Sequence, residues 1–254
     1  MAAAHPYDRH VGRYGTQLAP GLIEVAGVKP GDRVLDVGCG TGQLTIELAA
    51  VVGEENVSAL DPSAAMLEVA RARVPRADIR RGSAEALPFA DSEFDAALAQ
   101  LVINLVEDPP QAVREMARVV RPGGSVAACF WHDEAMPLLR SFWDSIRAVA
   151  PAAFAEVDEH AQVGVAETEQ LRRWWEDAGL ENVELGDFQV AAEYEDFNDL
   201  FFAFEAGVGH SGGLYLALEA DQRSAVRADV RQRLGATDAR FRLVATVEWV
   251  RGLR

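Results

Sequence analysis

The chain has 254 residues, enough for about one large α/β domain or two small ones, and its 49% hydrophobic and 25% charged residues exclude both disorder and a fibrous repeat. Forty acidic against twenty-four basic residues leave a formal charge of −16, which repels phosphate backbones and anionic lipid surfaces and speaks against nucleic acid as a partner. No run approaches the roughly 20 apolar residues of a membrane span, and Met1 to His10 lacks the apolar core of a secretory signal, so a cytoplasmic location is expected. Cys39 and Cys129 make neither a disulfide framework nor a zinc set, and the scattered histidines show no ligand spacing; no metal is expected.

From Arg33 to Trp131, apolar runs of strand length alternate with helical patterns, the signature of βαβ units and a parallel sheet. Five strands are predicted at Arg33–Val37, Asn56–Asp61, Ala77–Arg81, Phe94–Gln100 and Ser125–Trp131, mostly unalternated, as strands covered on both faces should be. A helix after Asp61-Pro62 offers Met66, Ala70 and Val74 as its sheet-facing stripe. Another is capped by Asp108, carries Val113, Met116, Ala117 and Val120 at helical spacing, and stops at Arg121-Pro122-Gly123-Gly124. Further on, a helix bearing Leu171, Trp174, Trp175 and Ala178 ends at Gly179 and precedes a sixth strand, Asn182–Ala192; Phe241–Val250 reads as a seventh. The expected fold is α/β, one domain over residues 1–254, with a sheet core of 29–134, 167–193 and 238–254. Residues 1–28, 135–166 and 194–237 are candidate lids and substrate-binding insertions beyond the carboxyl edge of the sheet.

Strand one runs into Asp36-Val37-Gly38-Cys39-Gly40-Thr41-Gly42-Gln43, and a helical pattern follows at once. Such a loop lets a ligand approach the backbone, and the helix amino end adds free N–H groups. A dinucleotide loop would place its third glycine at residue 43, which is Gln43, and a P-loop needs a lysine that the loop lacks.

These residues resemble the first motif of class I S-adenosylmethionine-dependent methyltransferases. Asp61, 23 residues past Gly38 at the end of the second strand, matches that family's ribose-binding acid, for which two adjacent hydroxyl donors suit a carboxylate. Gly82-Ser83-Ala84-Glu85-Ala86-Leu87-Pro88-Phe89 is similar to the adenine-side segment of the branch typified by ubiquinone and menaquinone biosynthesis enzymes. That branch commonly has an acid where this chain has Ser83, so Glu85 or the backbone at Ala84 would serve. Phe94–Gln100 and Val120–Gly124 match its fourth strand and the turn before the fifth. The resemblance implies a Rossmann-like seven-stranded, mostly parallel sheet whose last strand is antiparallel, and S-adenosylmethionine as cofactor with S-adenosylhomocysteine as product.

The resemblance also assigns roles. Asp36 would stand near the methionine amine, although it could equally cap the loop; Gly38, Cys39 and Gly40 would meet the cofactor through backbone, with Cys39 packed as a small residue because no base stands beside it in sequence. Pro62 and Met66 would lie on the adenosine side, and Gln100 with Leu101 on the methionine side; Met66 could instead be plain core. Arg13 and Tyr14 look like the lid entry, against the alternative of a solvated helix start. His132, just past the fifth strand, and His210, in a Gly207–Gly213 hinge, are general-base candidates, each with a structural alternative. Phe197, Phe201, Phe202 and Phe204 either wall a substrate pocket or pack on the sheet, and Arg227 with Arg231 read as a solvated face.

The expected function is therefore methyl transfer to a small, apolar organic acceptor by a monomer or homodimer. Two alternatives remain: a protein that binds the cofactor without transferring methyl, such as a natural-product cyclase, and an NAD-dependent oxidoreductase, against which Gln43 and the three later motifs argue.

Overall fold

The computed structural model describes residues 12–131, 135–155 and 168–254. Helix α1 (Gly12–Ala26) buries Leu18, Ala19, Leu22, Ile23 and Ala26, which recur at helical spacing. Then β1 (Val34–Val37), α2 (Gln43–Val52), β2 (Val57–Asp61), α3 (Ala64–Arg73) and β3 (Asp78–Arg81) alternate, followed by β4 (Phe94–Gln100), α4 (Pro109–Val119) and β5 (Val120–Trp131). Helices α5 (Pro137–Val149) and α6 (Pro151–Ala155) come next, then α7 (Thr168–Asp177) and β6 (Glu181–Tyr194). Three helices, α8 (Phe197–Glu205), α9 (Gly209–Ala217) and α10 (Ala220–Leu234), precede β7 (Phe241–Leu253).

The strands form one seven-stranded sheet in the order β3-β2-β1-β4-β5-β7-β6. Every resolved pairing from β3 to β5 is parallel, while β5 and β7 run antiparallel from Ser125↔Leu253 to Trp131↔Val247. This is the Rossmann-like arrangement that the resemblance implied. Strand order reverses between β1 and β4: β2 and β3 lie to one side of β1, β4 and β5 to the other. Open α/β sheets bind ligands at such a switch point, beyond the strands' carboxyl ends.

Two features of the sheet differ from expectation. Ser63 caps α3, its side chain accepting from the Met66 N–H, and this register turns Leu67 and Ala70 to the core and leaves Met66 half-buried; Val74 is buried just past the helix end. Val120 belongs to β5 and not to the preceding helix: it pairs with Phe94, and β5 then passes through a register shift at Arg121-Pro122-Gly123-Gly124, where a turn was expected, before its regular ladder begins at Ser125. Gly124 permits this because a Cβ there would collide with the Asp95 carbonyl and the Val120 side chain, and its carbonyl accepts from the Arg254 N–H at 3.0 Å. On the sheet's flank Trp175 of α7 is fully buried, its indole N–H donating to the Val126 carbonyl at 3.1 Å.

The described residues divide into two compact units. Residues 15–131, 168–188 and 247–254 make the sheet unit, so 15–28 group with the sheet and not with an insertion. Residues 12–14, 135–155 and 189–246 make a helical unit. Inside the latter, Phe197, Phe201 and Phe204 are fully buried and pack against Phe142 and Tyr215, with Phe142 and Phe204 stacked at 4.3 Å. They fill this unit's interior. Arg227 is no solvated residue: its guanidinium lies 5.0 Å over Phe197 and pairs with Glu205, while Arg231 lies over Phe197 at 5.6 Å. The predicted Gly207–Gly213 hinge is largely helix α9, and Gly212 is glycine because a Cβ would strike the Gly207 backbone.

Candidate active site

The candidate residues of the sheet unit gather at the carboxyl ends of β1, β2, β3 and β4. After β1 the chain must turn sharply into α2, and Gly38, Gly40 and Gly42 all take positive φ, 74°, 52° and 88°. Their missing side chains mean different things. A Cβ at Gly38 would lie 2.5 Å from Val102, so this glycine lets the loop pack on the segment after β4. A Cβ at Gly40 meets nothing within 4 Å, so its bare face borders open space.

The loop is held from several sides. The N–H groups of Gly38 and Cys39 both donate to the Leu60 carbonyl at 2.9 Å, and Arg73 donates to the Thr41 carbonyl at 3.0 Å. Asp61, half-buried at the end of β2, accepts from the Gly40 N–H at 2.9 Å and the Ser63 N–H at 2.8 Å, one on each oxygen. Each carboxylate oxygen has a second acceptor direction, so Asp61 still fits a pair of vicinal hydroxyls. Pro62 beside it is exposed.

Asp36 is 1% exposed. Its Oδ2 accepts from the Thr45 hydroxyl at 2.6 Å, whereas Oδ1 meets no donor among the described residues. Burial pushes its carboxyl up to about 7; the Thr45 bond pulls against this, and the like charge of Asp61 adds to it. Gln100, ending β4, likewise has a buried Oε1 without a donor among the described residues. Two buried acceptors of this kind fit a ligand that brings cationic or neutral donors. Leu101 follows in the left-handed region at φ 60°, its N–H donating to the Cys129 carbonyl at 3.0 Å. The turn Ile103–Leu105 then leaves Leu105 71% exposed at this edge of the sheet. Burial, with the fields of Asp36 and Asp61, raises the Cys39 thiol far above its usual range, so it stays protonated and is no nucleophile.

After β3, Ala84 is buried and Ser83 exposed. Glu85 has a task of its own: its Oε1 accepts from the Glu107 N–H at 3.0 Å and its Oε2 from the Ser83 hydroxyl. Partial burial opposes its ionisation, but these bonds and other backbone N–H groups outweigh it and hold the carboxyl below the usual range. The side chain thus braces the loop ahead of α4.

The remaining sequence candidates lie elsewhere. Arg13 and Tyr14 belong to the helical unit, where Arg13 pairs with Asp199, donates to the Glu193 carbonyl at 2.9 Å and covers the Tyr194 ring. Tyr14 is buried and accepts from the Tyr194 hydroxyl at 3.3 Å, and burial raises both phenols. His210 is exposed on α9 with its ring 6.1 Å from that of Trp143. His132 lies outside the described residues. Sequence reasoning missed Thr45; its signal was a hydroxyl on the apolar face of α2, beside Leu44 and Leu48. Among the described residues no group of acids, cysteines or histidines is placed to hold a metal, and no helix is long and apolar enough to cross a membrane.

The methyltransferase-domain family matches residues 35–128, the stretch that holds the glycine loop, Asp61, Ala84 and Gln100. The 2-phytyl-1,4-naphtoquinone methyltransferase of Synechococcus elongatus is 39% identical over 178 residues, covering 66% of this chain and 72% of that protein. The demethylmenaquinone methyltransferase of Renibacterium salmoninarum is 37% identical over 154 residues, covering 60% and 64%. A solved SAM-dependent methyltransferase of Thermotoga maritima shares the fold at a TM-score of 0.55 over 99% of both chains, with 20% identity.

Proposed function

The chain belongs to the S-adenosylmethionine-dependent methyltransferases, and from that premise we propose that it methylates a ring carbon of a reduced naphthoquinone-type small molecule. The observation that carries this reading is the 39% identity to a methyltransferase named for a phytyl naphthoquinone. A quinone ring is itself electrophilic; the hydroquinone is the form whose hydroxyl groups make the neighbouring carbon a nucleophile. That carbon gains the methyl group and gives up its proton. S-adenosylmethionine, when bound, supplies an activated methyl on a sulfonium, so the protein's contribution is placement and electrostatics.

The residues at the switch point fit such a cofactor. The donor-free Oδ1 of Asp36 and Oε1 of Gln100 suit its ammonium end. Asp61 suits the ribose hydroxyls, Gly38 and Gly40 let backbone approach, and Ala84 with Pro62 and the half-buried Met66 offers an apolar surface to adenine. Leu105, exposed on the turn that follows β4, supplies apolar surface for the acceptor. His132, which follows β5 in sequence, would be the residue that takes the proton, whereas Cys39 is held protonated and cannot. Nothing observed favours a non-methylating cyclase.

The test is to incubate the purified protein with S-adenosylmethionine and a chemically reduced 2-prenyl-1,4-naphthoquinone, following S-adenosylhomocysteine release and the mass of the quinone. A product one CH2 unit heavier, formed only under reducing conditions, is expected. Tight cofactor binding with no methylated product would overturn the acceptor assignment.

A further inference from the structure

The described residues place no positive side chain close enough to act on Asp36; the only charge felt there is the like charge of Asp61 on β2. Of the other titratable groups nearby, the Cys39 thiol stays protonated. A buried carboxyl so placed needs something other than a salt bridge to fix its orientation, and the one side chain that touches it in a defined way is Thr45. Thr45 is fully buried in the first turn of α2. A helical threonine hydroxyl commonly bonds back to the carbonyl four residues earlier, here that of Thr41. That carbonyl already receives Arg73, and the Thr45 hydroxyl turns to Asp36 Oδ2 instead, at 2.6 Å. The β-branched side chain is stiff at χ1, so the bond holds a fixed direction.

We infer that Thr45 is the positioning residue for cofactor binding: it grips Asp36 by Oδ2 so that Oδ1 alone is presented to the ammonium group of the methionine moiety. The inference rests on the cofactor reading above. Its consequence is that binding is tied to ionisation of Asp36, because only the carboxylate attracts the ammonium. Thr45 eases that ionisation, since its hydroxyl donates to the charged form and lowers the carboxyl against the pull of burial. Affinity therefore rises with pH through the range in which Asp36 titrates, and the hydroxyl sets where that rise falls.

The experiment measures S-adenosylhomocysteine binding by calorimetry between about pH 5.5 and 8.5 for the wild type, Thr45→Val, Thr45→Ser and Asp36→Asn, with the Asp36 carboxyl carbon followed by NMR in the free proteins. Thr45→Val keeps the shape and removes the hydroxyl. It is expected to weaken binding about tenfold near pH 7 and to move both the binding midpoint and the Asp36 titration upward. Thr45→Ser is expected to restore both. Thr45→Ala, which adds no bulk, repeats the comparison if valine does not fold. A Thr45→Val protein with the wild-type pH profile, alongside an Asp36→Asn protein that binds weakly, overturns the role of Thr45 while leaving the cofactor reading intact. Unchanged binding in Asp36→Asn overturns that reading and the inference with it.

Discussion

Replacing Asp36 with asparagine should make the stability of the free protein less dependent on pH, and the size of the effect follows from its burial. An ordinary aspartate ionises at 3.8, as it does in the unfolded chain, whereas in the folded protein burial moves this group to about 7. A raised folded value means that the folded state holds the proton more tightly. The group's stabilising contribution is therefore complete below pH 3.8 and is lost progressively as pH rises through about 7. At about 1.4 kcal/mol per unit, the loss amounts to about 2 kcal/mol at pH 5 and about 4 kcal/mol at pH 8. Asparagine carries no charge at either pH and can still accept from Thr45. Urea unfolding of both proteins at the two pH values should show Asp36→Asn gaining about 2–3 kcal/mol on the wild type between pH 5 and pH 8. Carboxylates elsewhere titrate in both proteins and cancel in the comparison. A difference that stays flat across this range would refute the claim that burial holds the Asp36 proton.

Three further outcomes are expected. Asp61→Ala should weaken S-adenosylhomocysteine binding by about 2 kcal/mol, read by calorimetry, since it removes a charged acceptor and frees the Gly40 and Ser63 N–H groups. Gly38→Ala should cost about 2–4 kcal/mol of stability in thermal or urea unfolding, from positive φ and the clash with Val102, whereas Gly40→Ala should cost about 1–2 kcal/mol and show its main effect as lost cofactor affinity. Leu105→Ser should raise the KM for a prenylated acceptor severalfold and leave cofactor affinity unchanged; a change in cofactor affinity alone would remove Leu105 from the acceptor surface.

The sheet was legible because strands covered on both faces leave unbroken apolar runs such as Val126–Trp131, and because positive φ is written into residue type as Gly38, Gly40 and Gly42. What a periodic pattern gives is a face and never its partner. Arg227 looked solvated because the rings it covers, Phe197 and Phe201, are about thirty residues away in the chain. The same holds for Phe201 and Phe204, whose partners Tyr215 and Phe142 belong to other helices. Around the loop, acids could be picked out by type, but only the fold shows that the Glu85 carboxylate is consumed by its own loop while Asp36 keeps a free oxygen. Thr45 escaped notice because its role is a single hydrogen bond across nine residues, which no spacing rule encodes.

The position of β7 bears on the order in which this chain can be built. It lies inside the sheet, between β5 and β6, and the Arg254 backbone and guanidinium tie its end to Gly124, Ser92 and the Arg118 carbonyl. On a ribosome, then, β5 and β6 both emerge with open edges and wait for residues 241–253, which must slot between them. Until they do, Val126 to Trp131 present an apolar strand with unpaired backbone on one side, the kind of edge that recruits another chain. Synthesis that stalls before residues 241–253 would leave the glycine loop and its neighbours already made in a molecule that tends to aggregate.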